Sequence, residues 1–425
     1  MPFFLKNLKN KLYTEYVGDF LKLFSGSTIS QIIAFGFSPI LYRLYEKNDY
    51  GIFGYYVALV TVLGSFSSLQ YLQAIFLEEK ESDSKSIVWL NRVVNFLVSL
   101  VCLLVVWIFN EPISQMLKSP DLGPWLYLLP FSLFFMGQNE IYRVWSSRKK
   151  KFKLLAENSI ITAITVPVFS ISFGIWKSGP MGLFVGYLLS QLIPALVLEY
   201  RIPREQRVLW SDFNLVKIKE FAWKYRKFPK INLPSDIINR LSNQIPVFML
   251  GQFGVVSGIA IYGLCARILS LPSQVISSAI GEIFRQRASL DYLQKGSFNS
   301  IFLQTLKLTG GISFVIILGV LILGPWFFGF IYGEQWVEAG DLSRYLILFF
   351  MVKFIVSPLS FTVVIKQKLN LGLFKNIVTF LLVSFVFYFG FNILNLNYFN
   401  VLSLFALVYA FIDVFYLMIL FKLSR

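Results

Sequence analysis

The chain has 425 residues, of which 56% are hydrophobic, 18% aromatic and only 15% charged, whereas soluble domains carry about 25% charged residues. This composition excludes a water-soluble globular enzyme and indicates a polytopic, all-α membrane protein. Both cysteines lie in apolar runs and histidine is absent, so we expect no disulfide, no metal site and no cofactor.

Apolar runs of about 20 residues predict twelve membrane spans. The polar, basic segment 1–16 that precedes them lacks the features of a cleavable signal peptide. In chain order, the predicted spans are 18–44, 52–77, 86–109, 124–147, 154–176, 180–199, 231–252, 256–284, 299–324, 340–365, 371–394 and 398–421.

The distribution of basic residues predicts the orientation of these spans. With both termini in the cytoplasm, 26 Lys and Arg residues fall in cytoplasmic segments and four on the opposite side, counting Arg43 at the end of the first span. This asymmetry follows the positive-inside rule. The net charge of +16 therefore indicates membrane topology and anionic lipid headgroups, and we expect no nucleic-acid partner.

Segment 201–230 is basic and aromatic, a composition typical of an amphipathic helix at the membrane interface. We expect it to link an N-lobe of six spans, 1–200, to a C-lobe of six spans, 231–425. The lobes show a weak internal repeat, because residues 49–55 resemble 256–262 and residues 73–76 resemble 281–284. Such a repeat is typical of a two-lobed transporter with its substrate site between the lobes.

Fourteen charged residues, nine basic and five acidic, lie inside the predicted spans when the two residues at each span end are left out. Each costs at least about 2.5 to 3.5 kcal/mol near the bilayer centre, so each needs a partner, a wet cavity or a route to the headgroups. Five lie close enough to span ends for their side chains to reach the headgroups. They are Lys22, Arg92, Lys307, Arg344 and Lys375.

Arg267 and Lys353 lie near the middle of spans eight and ten. With Arg240 and Arg143 they predict a cationic cavity, which favours an anionic substrate such as a phosphate ester. Asp236 and Glu140 are candidates for coupling to an ion, since no histidine can carry a proton. Nothing in the sequence identifies a partner for Asp413. The predicted polar lining of the cavity includes Gln31, Asn243 and Gln274.

Three other functional classes fit the sequence less well. The loops contain no phosphate-binding Gly-Lys-Ser/Thr motif, acidic metal cluster or nucleophile with a base, so we expect a transporter rather than an enzyme. A multidrug or cation antiporter would need an acidic cavity, and the internal charge is positive. A passive channel is disfavoured by the internal repeat.

Several segments resemble Wzx-type polysaccharide flippases of the multidrug/oligosaccharidyl-lipid/polysaccharide exporter superfamily. In the first half these are residues 24–35, 38–45, 49–53 and 148–153. In the second half they are residues 244–251, 262–272, 284–288 and 333–340.

This resemblance implies a flippase of the bacterial inner membrane. Such a protein moves an undecaprenyl-pyrophosphate-linked oligosaccharide from the cytoplasmic to the periplasmic leaflet by alternating access, and supplies O-antigen lipopolysaccharide or capsule assembly. The implied partners are this lipid-linked substrate, membrane lipids, and the polysaccharide polymerase and chain-length machinery. Arg267 falls within the matching segments as a cavity cation, whereas Lys353 does not. Two further spans that form a lipid-tail groove in the flippase of the peptidoglycan precursor have no counterpart, which disfavours that substrate.

Overall fold

The computed structural model describes residues 25–176, 179–368 and 370–425, and over these ranges all regular secondary structure is helical. The prediction of an all-α membrane protein is therefore confirmed. The principal helices are α1 (25–44), α2 (Lys47–Leu63), α3 (Glu81–Met116), α4 (Leu129–Arg148), α5 (Phe152–Ile175), α6 (Met181–Arg201), α7 (Leu215–Lys224), α8 (Leu233–Gln252), α9 (Val256–Leu269), α10 (Ser278–Lys295), α11 (Asn299–Tyr332), α12 (Val337–Leu359), α13 (Asn370–Asn392) and α14 (Tyr398–Ser424).

Eight helical segments in the described part of the chain are long and apolar enough to cross a membrane, and the bent pair of α9 and α10 would make nine. Two further predicted spans correspond to α4 and α8, which are helical but more polar. The first predicted span, 18–44, lies partly outside the described residues. The count of twelve spans therefore stays a prediction, while the multi-pass character of the chain is clear.

The second predicted span, 52–77, ends earlier than expected. The helix α2 stops at Leu63, and two short 3-10 segments, Gly64–Phe66 and Tyr71–Phe76, follow it. Between them Leu69 and Gln70 adopt positive φ angles of 45° and 65°. A left-handed conformation cannot continue a right-handed helix, so the apolar run is divided.

The described chain forms two compact units. The first unit contains the residues up to Asp49 together with Leu59–Asp236, and the second contains Tyr50–Ala58 and Ile237–Arg425. Each unit has its own hydrophobic core. Buried residues of the first core include Ile87, Val88, Trp145 and Phe221. Buried residues of the second include Phe284, Phe302, Leu359 and Leu420.

The segment after α6 packs within the first unit. Ile218 and Phe221 of α7 are buried in its core. Carbonyl groups of the segment accept hydrogen bonds from α3 and α4, because Trp89 Nε1 donates to Leu209 O at 3.0 Å and Trp145 Nε1 donates to Gln206 O at 2.9 Å. The aromatic and aliphatic side chains of Trp210, Val216 and Trp223 are 80%, 76% and 71% exposed.

Arg92 differs from its sequence prediction. Its guanidinium does not extend toward the headgroups but donates to Val208 O at 3.1 Å and to the Tyr142 hydroxyl at 3.3 Å. The Trp89 ring lies 4.9 Å from its Cζ. Arg92 therefore ties the segment after α6 to α3 and α4, a structural role that its position near a span end did not predict.

Charged side chains also attach α7 to the rest of the first unit. Lys217 Nζ pairs with Asp83 at 2.6 Å and Lys224 Nζ pairs with Glu78. The Tyr225 hydroxyl donates to Glu78 Oε1 at 2.6 Å. Burial alone would raise the pKa of Glu78, but the hydrogen bonds from Lys224 and Tyr225 outweigh it and hold that pKa below its ordinary value.

Replacing Glu78 by glutamine is expected to loosen α7 from the first unit. A carboxylate whose pKa is lowered by folding stabilises the fold above its ordinary pKa, and this contribution is lost as the pH falls through the lower folded value. We expect tryptic cleavage near Lys217 and Lys224 to accelerate up to about fivefold at neutral pH, the range for solvent-accessible ion pairs. Trypsin is inactive in acid, so the low-pH comparison uses pepsin, and the difference between wild type and Glu78→Gln should disappear there.

Glu79 provides the matched control for this experiment, because it is the adjacent carboxylate and is exposed. Glu79→Gln should leave the cleavage rate unchanged. Equal cleavage of wild type and Glu78→Gln at neutral pH would show that Glu78 does not hold α7 in place.

Candidate functional site

Lys353 lies on α12, which is apolar on all sides. A helix of this kind belongs in the interior of a bundle, and 61% of the span that contains α12 is buried. Lys353 Nζ donates to Asn243 Oδ1 on α8 at 3.1 Å. It lies 5.5 Å from the centre of the Phe349 ring and 5.7 Å from that of Tyr409. The structure thus brings together two of the predicted site residues, Lys353 and Asn243.

The groups in contact with the Lys353 ammonium are polar or aromatic, and the Asp413 carboxylate and the Lys375 ammonium act on it only from a longer distance. Within the described residues its ammonium forms no ion pair and has one hydrogen-bond partner, the neutral amide of Asn243. Aromatic faces attract a cation through the ring quadrupole, so Phe349 and Tyr409 orient the ammonium without neutralising its charge. Lys353 therefore has the chemistry required to bind an anion.

Lys375, another cation of the second unit, is neutralised by an acidic partner. Lys375 Nζ on α13 lies 2.5 Å from Asp413 Oδ1 on α14, and the carboxylate is fully buried. The Lys375 side chain is 19% exposed, so the prediction that it extends to the headgroups is wrong. Its ammonium also lies 6.0 Å from the Tyr409 ring, which contacts Lys353 from the other direction.

A signal for this pair was present in the sequence. The helices α13 and α14 are joined by a tight connection in which Asn395 has a positive φ of 48°. Two helices joined in this way are antiparallel neighbours, so residues equally distant from the turn lie at equal depth. Lys375 and Asp413 are at similar distances from Asn395 along the chain, so the sequence could have indicated their similar depth, although not the helix rotation that brings the two side chains together.

The first unit carries a polar pair on α4. Arg143 Nη1 donates to Glu140 Oε2 at 3.3 Å, and both side chains are about half exposed. The adjacent Asn139 faces the interior, where its Oδ1 accepts from Asn158 Nδ2 at 3.3 Å. The structure therefore brings Glu140 and Arg143 together as an i,i+3 pair, which leaves this face of α4 polar and close to neutral.

Asp236 is held by residues that the sequence did not single out for a site. Gln70 Nε2 donates to Asp236 Oδ2 at 3.0 Å. Gln73 Nε2 donates to Gln70 Oε1, and Asn232 Nδ2 donates to Gln73 Oε1, each at 3.2 Å. The left-handed φ of Gln70 places its side chain in this network. No local pattern predicts such a contact across 166 residues.

The other predicted site residues lie on helix surfaces. Arg267 is exposed on α9, Arg240 is half-buried on α8, and Gln31 is half-buried on α1. Gln274 lies in a short π-helical segment between α9 and α10, and its amide donates to the Ser270 hydroxyl at 2.9 Å. No cluster of metal-ligating side chains is found among the described residues.

The fold resembles those of solved transporters. The lipid II flippase MurJ in an inward closed conformation superposes with a TM-score of 0.77 at 15% identity, over 95% of this chain and 90% of that chain. A multidrug resistance MATE family transporter of the MOP superfamily, in an inward-facing conformation, superposes with a TM-score of 0.64 at 14% identity, over 95% and 96%. The chain therefore has the fold that these two membrane proteins share.

Two named relatives are similar in sequence. The lipopolysaccharide biosynthesis protein WzxC of Escherichia coli is 20% identical over 84% of this chain and 72% of its own length. The succinoglycan biosynthesis transport protein ExoT of Rhizobium meliloti is 22% identical over 76% of this chain and 64% of its own length. A family described as polysaccharide biosynthesis protein matches residues 40–341. The chain belongs to this family, as the sequence resemblance predicted.

Proposed function

We propose that the protein is a flippase that moves an undecaprenyl-pyrophosphate-linked oligosaccharide from the cytoplasmic to the periplasmic leaflet of the bacterial inner membrane. The observation that carries this proposal is Lys353, a cation inside a membrane helix whose hydrogen-bond partner is a neutral amide. A pyrophosphate satisfies such a cation. Membership of the polysaccharide biosynthesis protein family supports a glycan as the group attached to the phosphate.

The proposed site assigns separate tasks to cations and to neutral polar groups. Arg267, Lys353, Arg240 and Arg143 would receive the pyrophosphate, since charge-assisted hydrogen bonds to phosphate are strong away from bulk water. Amide groups, which both donate and accept, would solvate the sugars. These are Gln31, Asn243 and Gln274.

The proposed cycle is alternating access of the two lobes, 1–200 and 231–425, with 201–230 between them and both termini in the cytoplasm. If transport is coupled to a counter-ion, Asp236 and Glu140 are the proposed carriers, because a carboxylate can take up and release a proton. Gln70 and Arg143 hold these two carboxylates in place. Polysaccharide polymerase and chain-length machinery are the proposed partners on the product side.

Complementation tests this function. The chain would be expressed in a bacterium that lacks its own O-antigen flippase, and glycan on the periplasmic face of the lipid carrier would be measured. Restored surface glycan is the expected result. Glycan that stays on the cytoplasmic face despite normal membrane expression, in hosts with several different O-antigen structures, would contradict the proposal.

The alternative is a multidrug or cation antiporter, which the likeness to a MATE family transporter brings into consideration. A cation site would need an unpaired acid, and the deepest carboxylate of the second unit, Asp413, is already occupied by Lys375. Drug-resistance assays in the same strains separate the two functions. Increased resistance without restored glycan would favour the antiporter.

A further inference from the structure

Two neighbouring cavities in the second unit differ sharply in chemistry. The hydroxyl-lined cavity, of about 480 Å³, is bordered by Ser277, Arg285, Ser357, Ser360 and Gly372. The apolar groove, of about 200 Å³, lies between α13 and α14 and is bordered by Leu371, Val378, Leu382, Phe411, Phe415 and Ile419.

The two cavities are neighbours. Tyr416 forms part of the wall of both, and the successive residues Leu371 and Gly372 belong to the apolar groove and the hydroxyl-lined cavity respectively. A side chain added at Gly372 would meet open space, with no atom within 4 Å of its Cβ position. The glycine therefore leaves space at the edge of the hydroxyl-lined cavity that faces the apolar groove along the chain.

The hydroxyl-lined cavity can receive an anion. The Arg285 guanidinium is half exposed and bonds Glu282 through Nη2, while its other N–H groups have no acceptor within the described residues. The exposed hydroxyl of Ser357 likewise makes no hydrogen bond within that part of the chain. A guanidinium with free donors beside a free hydroxyl suits phosphate oxygens.

The length of the apolar groove matches that of a lipid chain in one half of the bilayer. On α13 it runs from Leu371 to Leu382, a distance of about 16 Å along a helix. Half of a hydrocarbon core measures about 15 Å. The groove starts beside the hydroxyl-lined cavity, near the loops predicted to be cytoplasmic, and ends near the middle of the bilayer.

The groove also remains apolar although Lys375 borders it. The ammonium of Lys375 is turned away toward the buried carboxylate of Asp413, so only its aliphatic stem contributes to the wall. The exposed rings of Phe374, Phe411 and Phe415 provide flat apolar surfaces. Branched, unsaturated chains pack well against such surfaces.

We propose that these cavities form a docking site that the polyprenyl pyrophosphate end of the substrate occupies before its phosphates reach the cations of the proposed site, with the phosphates in the hydroxyl-lined cavity and the first isoprene units in the apolar groove. This inference rests on the proposed function and supplies a path for the lipid tail. A polyprenyl phosphate carries one hydrocarbon chain below a compact anionic head, which matches one narrow groove below one polar cavity. A phospholipid brings at least two chains.

Native mass spectrometry of the full-length protein with undecaprenyl pyrophosphate as the probe tests the docking site. Gly372→Trp fills the space at the edge of the hydroxyl-lined cavity and Val378→Trp fills the groove, and each should weaken binding at least about tenfold, the loss expected when a buried contact of about 1.4 kcal/mol is removed. Gly319→Trp is the matched control, since Gly319 is also a helical glycine with open space around its Cβ position and is exposed on α11, away from both cavities. It should bind as wild type does.

The groove variants must have the same elution volume and melting temperature as Gly319→Trp. This requirement excludes misfolding as the cause of weaker binding. Unchanged binding in both groove variants would overturn the proposal, as would equal competition by phosphatidylglycerol. A photoreactive polyprenyl phosphate should label 371–382 and 411–419, and labelling confined to other segments would also overturn the proposal.

Failure of the docking site and failure of the flippase function have different outcomes. If wild type restores surface glycan while the groove variants bind the probe normally, the docking proposal is wrong and the flippase function stands. If wild type neither binds the probe nor restores glycan, the function itself fails.

Discussion

Replacing Arg267 or Lys353 by alanine is expected to abolish surface glycan while leaving the protein in the membrane. Arg267 is exposed on α9, and Lys353 has only a neutral hydrogen-bond partner within the described residues. Truncating one partner of a desolvated charge pair costs about 2–5 kcal/mol, so we expect export to fall by at least about tenfold. The measurement is glycan exposed at the cell surface per molecule of flippase in the membrane.

Conservative variants sharpen this prediction. Arg267→Lys keeps the charge but loses the planar fork that holds two phosphate oxygens, so partial export is expected. Lys353→Arg also keeps the charge, and it tests whether a guanidinium fits in the space beside Asn243. If the two residues were needed only for packing, keeping their charge would not preserve export.

Lys307 is the matched control for Lys353, because it is also a lysine of a long apolar helix but is exposed on α11. Its stem can carry the ammonium to the headgroups. Lys307→Ala should therefore leave export close to that of wild type. Near-normal glycan in Arg267→Ala or Lys353→Ala would remove that residue from the proposed site.

Lys375→Met is expected to destabilise the second unit strongly. The substitution leaves the fully buried carboxylate of Asp413 without its ion-pair partner, and its Oδ2 already lacks a hydrogen-bond donor within the described residues. Breaking one side of a buried pair costs about 3–5 kcal/mol. Unfolding by sodium dodecyl sulfate in mixed micelles measures this free energy.

The double variant Lys375→Met/Asp413→Leu distinguishes loss of pairing from loss of packing. With both charges replaced by apolar groups of similar size, stability should return to within about 1 kcal/mol of wild type or exceed it. Lys307→Met should change stability by no more than about 0.5 kcal/mol, as is usual at exposed positions. A double variant as unstable as Lys375→Met would show that the side chains pack rather than pair.

The sequence alone predicted the class of this protein and its family. Depth in the bilayer depends on the length and composition of each apolar run, a property that can be counted along the chain. This is why Lys353 was recognised as a membrane-embedded cation from its position in span ten. The family was recognised for the same reason, since its motifs are short continuous segments.

Only the tertiary structure decided which charges are available. Lys375 and Lys353 are both lysines of apolar predicted spans, yet Lys375 is neutralised by Asp413 and Lys353 bonds a neutral amide. Likewise Arg92, near a span end, proved to be an anchor for the segment after α6. The physical reason is that depth is set by each helix separately, whereas pairing depends on how neighbouring helices are rotated and packed. That rotation results from side-chain packing over the whole unit, so no single segment of the sequence specifies it.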